Sequence, residues 1–569
     1  RAGCDHLQAE NREQLDWCNS TIQGNHGADP AHLPCSTEHD QVPNHPCEVV
    51  TVMKESIPPI LRPDSVTPVA LSALAARFGL GGEAPAEVAI TGISMNTADL
   101  RPGDLFVAMP GLKTHGARFT ERALAAGAVA IVTDQAGRSE IEQTLGTVAV
   151  PILLLEEPRK HLGNLAAFVY GNVAGNLPTI YGTTGTNGKT STSYLLEALL
   201  RQCGEVTGLT STAERHIAGE VIVSRLTTPE STEMQALIGR MREKGVTSIA
   251  VEVSAQALSQ LRVDGIHFDV VGFTNLSHDH FDDYPDFDAY LKAKAALFTP
   301  ERANSGVVSL DSDFGQAFVA ASKIPVTTIS SNPAVAADWR VTVTEQTTAK
   351  TGFVLTGPDG VRIESSVPLI GTHMAANGGL AIAMAITAGV DRRLIQERVR
   401  EGIAAYLPGR TEPINANQAG PSVFVDFGHS PDAFLHTLRS LRTVTKGRLF
   451  MVFGADGDRD ASKRPDMARI AAENADVVII TDHHPRFENP VSIRRVLFDS
   501  AIAAVPDLEL YEVSPPEQAI RKAVSLAQPG DSILWAGPGH QDYRDIQGKR
   551  TVYSAREEAR AALVEQGWS

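Results

Sequence analysis

Residues 182–192 read GTTGTNGKTST, a glycine-rich stretch between an apolar run and a leucine-rich run. Such a loop can aim backbone N–H groups at an anion, and the dipole of a following helix adds to their pull. Lys189 can reach the outer phosphates of a nucleotide, and the Thr190 hydroxyl can ligate Mg2+. Gly185, Thr186, Asn187, Gly188 and Ser191 complete the cradle. The strict phosphate-loop pattern asks for glycine at position 183, where this chain has Thr183.

Two later stretches add metal-binding chemistry. VEVSAQAL, 251–258, closes a strand-like run with Glu252, and TNLSHDHFDDY, 274–284, gathers His278, Asp279, His280, Asp282 and Asp283. Both follow apolar runs, and ligands in α/β sheets bind at the carboxyl ends of strands. Glu252 and His280 are therefore expected to meet near the phosphates and hold a second Mg2+. Lys294 follows on AYLKAKAALF and, taken alone, would read as a solvated helix lysine.

These residues need a sheet to position them. PTIYGTTG, TSIAVEVS and DVVGFTNL are apolar enough for buried parallel strands, and TSTSYLLEALLRQ reads as a helix with Leu195, Leu199 and Leu200 on one face. The expected fold is α/β in three domains. Residues 53–175 form a small N-terminal domain with VAITGIS, DLFVAMPG and AVAIVTD as strands. Residues 176–405 form a central phosphate-loop domain on a parallel sheet. YLPGRTEP then reads as a linker. Residues 406–569 form a doubly wound, Rossmann-like domain in which SVFVDFG, RLFMVFG, ADVVIITD and DSILWAG alternate with helices such as PDAFLHTLRSL and KAVSLAQ.

Composition narrows the function. The chain has 569 residues, a net charge of −17 and 43% hydrophobic residues. An acidic chain lacks the basic face that nucleic acid requires, and no apolar run reaches the 18 residues of a membrane span. This suits a cytoplasmic enzyme that concentrates cations locally. Cys4, Cys18, Cys35 and Cys47 lie among several histidines near the N-terminus, but without the close cysteine pair of zinc sites the metal signal is weak. That segment also lacks hydrophobic periodicity. Met53 reads as the natural start, with residues 1–52 as a dispensable tail.

GTTGTNGKTST, EVSAQAL, FTNLSHDHFDDY, AKAALF, LPGRTEP, VDFGHSPDAF and GADGDRDASKRP stand in the order found in the Mur ligases, and the chain after residue 53 resembles that family along nearly its whole length. PGDLFVAMPGLKTHG resembles the UDP-binding domain of its tripeptide-forming branch, and TDHHPRFENP and AGPGHQDY resemble that branch's amino-acid pocket. The resemblance implies a monomeric ATP- and Mg2+-dependent amide ligase that adds a diamino acid to UDP-MurNAc-L-Ala-D-Glu through an acyl phosphate. It implies that Lys189, Asn377, Arg410 and Asp426 meet ATP, and that Thr190, Glu252, His280 and a carbamylated Lys294 hold metal. Thr97, Thr227, Thr228, Ser254, Gln260 and Arg262 would hold the UDP-muramyl peptide, and Arg459, His483, His484, Arg486, Gly537 and Gln541 the amino acid. His429 and Asp432 share a motif with Asp426 but carry no assigned role.

The chain also departs from the family. MNTAD stands where many relatives have Asp-Ser-Arg, GTHMAAN lacks the usual Phe-Asn before Asn377, and Gln256 replaces a common His. In the amino-acid pocket, relatives that add meso-diaminopimelate typically carry Asp-Asn-Pro-Arg, where this chain has His483, His484, Pro485 and Arg486. Arg486 suits a distal carboxylate. His484 changes the donor layout, however, and Gln541 replaces a Glu expected to pair with a substrate ammonium. The altered positions favour L-lysine or L-ornithine over meso-diaminopimelate, and His483 and His484 are expected to titrate near neutral pH. Two other readings are a folylpolyglutamate- or cyanophycin-synthetase type of ligase and a silent nucleotide-binding scaffold. The N-terminal domain and the PGHQDY stretch argue against the first, and the intact Lys189, Thr190, Glu252, His280 and Lys294 against the second.

Overall fold

The computed structural model describes residues 60–111, 113–279, 281–415 and 420–568. Residues 1–52 and His280 lie outside them. Among the described residues no helix is long and apolar enough to cross a membrane.

The central sheet has eleven strands, with Thr179–Thr184 at its heart between Ser248–Glu252 and Phe268–Phe273, both parallel to it. The middles of these strands are buried on both faces because helices cover both sides of the sheet. Neighbours on a strand go to opposite cores: Ala250 and Val270 pack with Leu195, Leu199 and Ala381, whereas Val251 and Val271 pack with Met234, Leu237 and Phe298. The helix Lys189–Gln202 buries the expected Leu195, Leu199 and Leu200, and Leu196 and Ala198 as well. The sheet is not parallel to its edges. Glu214–Ile217 and Glu220–Val223 form an antiparallel flap at one end, and Trp339–Gln346, Thr351–Thr356 and Arg362–Val367 an antiparallel meander at the other. Alternating polar residues mark these outer strands, which face solvent on one side.

The N-terminal sheet is parallel, in the order Gly92–Ser94, Asp104–Ala108, Ala130–Thr133 and Ile152–Leu154. In the third sheet Ser532–Ala536 lies between Ser422–Asp426 and Leu449–Phe453, followed by Val477–Ile480 and Glu509–Glu512, all parallel. The strand order reverses there, where α/β folds place ligands. The register sets Asp426 opposite Ala536 and Phe453 opposite both Ala536 and Ile480. The loops carrying His429, Asp456, His483 and Gly537 therefore leave the sheet side by side. The helix expected at KAVSLAQ starts earlier and spans Pro516–Leu526, with Pro516 at its first turn.

Candidate active site

The glycine-rich loop joins Thr179–Thr184 to the helix Lys189–Gln202. Two glycines are required by contact. A Cβ on Gly185, at φ +146°, would fall 1.9 Å from Thr274 Oγ1, and one on Gly188, at φ +83°, would fall 2.8 Å from Asn377 Oδ1. The loop is pinned by Thr186 N–H to Asn275 O (2.9 Å) and Asn187 N–H to Asn275 Oδ1 (2.9 Å). Thr274 and Asn275 thus hold the cradle, a role that sequence reading did not assign.

Lys189 curls over this loop, donating to the carbonyls of Thr186 (2.9 Å) and Gly185 (3.1 Å). Thr190 Oγ1 donates to Glu252 Oε2 at 3.0 Å, and the Glu252 carboxylate also accepts the Thr212 N–H (2.8 Å) and hydroxyl (3.0 Å). Lys294 is no solvated lysine: it is 1% exposed, donates to Gly185 O at 2.7 Å and lies over the Tyr290 ring. Burial pushes its ammonium well below the usual lysine range, and the nearby Lys189 charge pushes the same way against Asp279. Lys189 is lowered too, by burial above all, with Glu252 and Asp279 opposing.

The third sheet completes the cluster. Arg410 Nη2 reaches Thr190 Oγ1 at 3.0 Å while its guanidinium stacks over Phe427. Asp426 is buried and accepts N–H groups of Thr411 and Gly428, both at 2.6 Å, and so shapes the turns around Arg410 and His429. Asp432 Oδ2 accepts from Asn187 Nδ2 at 3.2 Å. Lys463 donates to Asp279 Oδ1 at 3.0 Å, and His429 Nε2 lies 4.0 Å from the other oxygen. Lys463 lies in a stretch quoted above only as a motif. A cation on a loop leaving a strand's carboxyl end was the signal that could have found it.

The residues expected to hold the UDP-muramyl peptide fall along the boundary between the first two sheets. Thr227 and Thr212 share a hydroxyl hydrogen bond, and the Thr228 hydroxyl donates to Glu252 O (2.8 Å) and accepts Ser254 N–H (3.1 Å). Ser254 caps the helix Ala255–Ser259. Arg262 pairs with Glu230, which also takes Arg159 from the first domain, and Gln260 accepts from Arg262. Thr97 sits two residues before Asp99, whose carboxylate pairs with Arg225 at 3.1 Å. Buried Ser191 lies on the phosphate-loop helix.

The amino-acid set is joined less evenly. Arg459 is exposed on its loop. The Asp545 N–H can only donate, so His484 Nδ1 accepts it (3.0 Å) and His484 Nε2–H donates to Gln541 Oε1 (2.8 Å). Arg486 donates to Gly457 O at 2.7 Å and faces Asp456 Oδ2 at 3.5 Å. Gly537 lies against the His483 ring. The expectation of near-neutral histidines is corrected here. Burial pushes His483 down to about 3, overriding the attraction of Asp456, and burial lowers His484 despite its bond to Gln541. Both are neutral imidazoles at physiological pH. Asp456, His483 and His484 bring three donor atoms within 4.8 Å of one another. Both ring nitrogens of His484 are already bonded, however, so the trio reads as a hydrogen-bonded wall rather than a metal centre.

Known proteins match this arrangement. The Mur ligase family, catalytic domain, matches residues 89–170; the Mur ligase middle domain, 183–385; and the Mur ligase, glutamate ligase domain, 409–539. A protein of Leifsonia xyli subsp. xyli named UDP-N-acetylmuramyl-tripeptide synthetase is 51% identical over 90% of this chain and 99% of its own. A Streptomyces avermitilis protein named UDP-N-acetylmuramoyl-L-alanyl-D-glutamate--2,6-diaminopimelate ligase is 41% identical over 88% of this chain and 98% of its own. A solved structure of a ligase with that same name superimposes with a TM-score of 0.60 at 26% identity, covering 88% of this chain and all of that one. With all three family domains matched in order and a half-identical relative spanned almost end to end, the chain belongs to the Mur ligase family.

Proposed function

We propose that this chain is the ATP-dependent ligase that joins a diamino acid to the D-glutamyl carboxylate of UDP-MurNAc-L-Ala-D-Glu. The observation that carries the reading is the convergence of two cations from two sheets, Lys189 and Arg410, with the buried Lys294, around Thr190 and Glu252. A triphosphate and a carboxylate can approach one another only where their charge is offset.

A carboxylate is a poor electrophile. Its oxygen attacks the γ-phosphorus and ADP leaves; the amine nitrogen then attacks the acyl carbon, loses a proton, and phosphate departs. Lys189 serves the phosphates, and Arg410 links their position to the docking of the third domain. Asn377, beside Gly188, lies against the same loop. Thr190 and Glu252 present hard oxygen donors side by side, which fits Mg2+. With His280 and a carbamate on Lys294, they would hold ions that offset phosphate charge. The surroundings of Lys294, which favour its neutral amine, suit that modification: its nitrogen bonds the carbon of CO2 and releases a proton, leaving an anionic two-oxygen ligand. Thr97, Thr227, Thr228, Ser254, Gln260 and Arg262 would seat the UDP-muramyl dipeptide, and the histidine wall the incoming amino acid. On this reading the enzyme works as a cytoplasmic monomer.

The test is ADP release with UDP-MurNAc-L-Ala-D-Glu, ATP, Mg2+ and a panel of amino acids. The reading expects release that needs both the nucleotide peptide and an amino acid. Release independent of either would overturn it.

A further inference from the structure

Arg486, the residue best suited to read a distal carboxylate, is already committed within the chain. One arm of its fork donates to Gly457 O at 2.7 Å, and the other faces Asp456 Oδ2 at 3.5 Å. The backbone fixes it there. Arg486 has φ +49°, its N–H donates to Asp545 O at 3.1 Å, and its carbonyl accepts the Gln547 N–H at 2.7 Å.

The other oxygen of Asp456 is buried and has no hydrogen-bond partner among the described residues. A buried carboxylate oxygen without a donor is costly unless a ligand supplies one. The nearest side chain, His483, stands at 3.6 Å through Nε2 and is neutral, so it brings no charge. Burial alone would raise the Asp456 carboxyl, and the Arg486 charge facing it at 3.5 Å draws it the other way, toward the ionised form. Asp545 Oδ1 is likewise buried without a partner among the described residues, but it is Asp456 that pairs with the Arg486 guanidinium. Gln541 is a neutral amide whose oxygen is taken by His484. Asp482 is shared by Arg494 and the Ser514 hydroxyl. Asp545 turns its backbone N–H to His484.

We propose that Asp456 determines which amino acid is added: it accepts the side-chain ammonium of a diamino acid with a single carboxylate and, by facing Arg486, withholds that guanidinium from a second one. This rests on the ligase reading above. An ammonium completes the orphaned oxygen with a charge-assisted hydrogen bond. A distal carboxylate, as in meso-diaminopimelate, would have to approach Arg486 beside a carboxylate already there, and like charge repels it.

The test compares kcat/KM for L-lysine, L-ornithine and meso-diaminopimelate in the full chain and in Asp456→Asn and Asp456→Ser. The wild type should prefer L-lysine or L-ornithine to meso-diaminopimelate by at least tenfold. Both variants should raise KM for the preferred amino acid about tenfold and bring the preference to within threefold. A wild type that prefers meso-diaminopimelate tenfold, or variants that keep the wild-type ratio, would overturn the proposal. Calorimetric titration of wild type and variants with L-lysine and with meso-diaminopimelate reads the same preference without turnover. An inactive chain that binds L-lysine through Asp456 would overturn only the ligase reading. An active chain whose preference ignores Asp456 would overturn only this inference.

Discussion

Lys463 of the third domain donates to Asp279 of the second at 3.0 Å, and both side chains are at least nine-tenths buried. Asp279 precedes His280, the expected metal ligand, so one ion pair ties the docking of the third domain to the metal loop. Breaking a buried pair from one side leaves an uncompensated charge, at a cost of about 3–5 kcal/mol. Lys463→Met should lower kcat/KM by on the order of 10²-fold, with the loss appearing in KM for ATP or Mg2+ as well as in kcat. Steady-state kinetics within twofold of wild type would show that the pair does not link docking to the site.

Lys189 lies where the phosphate charge is greatest as the acyl phosphate forms. Losing one preorganised electrostatic contact of this kind lowers kcat by on the order of 10²-fold or more. Lys189→Ala should show that loss in the ADP-release assay while its thermal melt stays close to wild type. Undiminished turnover would remove Lys189 from the phosphate site.

Burial and the nearby Lys189 charge push Lys294 toward the neutral amine, the state that reacts with CO2. Lys294→Ala should be nearly inactive, and acetate or formate should restore part of the activity by supplying the missing carboxylate. Mass spectrometry of protein kept in bicarbonate should show the carbamate on wild type and none on the variant. Full activity of Lys294→Ala would exclude the modification as a working part.

His216 gives a pH prediction away from the site. Burial alone would lower its pKa, but the Glu197 and Glu214 carboxylates facing its two ring nitrogens at 3.7 and 3.4 Å outweigh it and raise it to about 9. Tyr194 also donates to Glu214 at 2.8 Å, so the network ties the phosphate-loop helix to the sheet edge. Because the folded pKa is raised, this stabilisation is complete below the unfolded value near 6.5 and is lost as pH rises through about 9. Its size is on the order of 3 kcal/mol. Melts at pH 6.5, 8 and 9.5 should show an alkaline drop that is shallower in His216→Gln. Parallel curves for the two proteins would mean that His216 is not charged in the fold.

The glycine-rich loop, the strands that carry Glu252 and Asp426, and the three-sheet plan were legible because their signals are local. Glycine at a strand-to-helix turn, apolar runs and capping residues act on neighbours a few positions away. What the sequence left open lay between distant segments. Lys463 and Asp279 are 184 residues apart, and the two loops meet only because the third sheet docks on the second. Histidines at 483 and 484 carry no mark of their burial, so an ordinary imidazole pKa was the natural expectation, and packing lowered both, His483 to about 3. Arg486 read alone suggests a binder of carboxylates. That its carboxylate is Asp456, thirty residues earlier on another strand's loop, was decided by the tertiary structure, because a charge's role depends on which charge the fold sets opposite it.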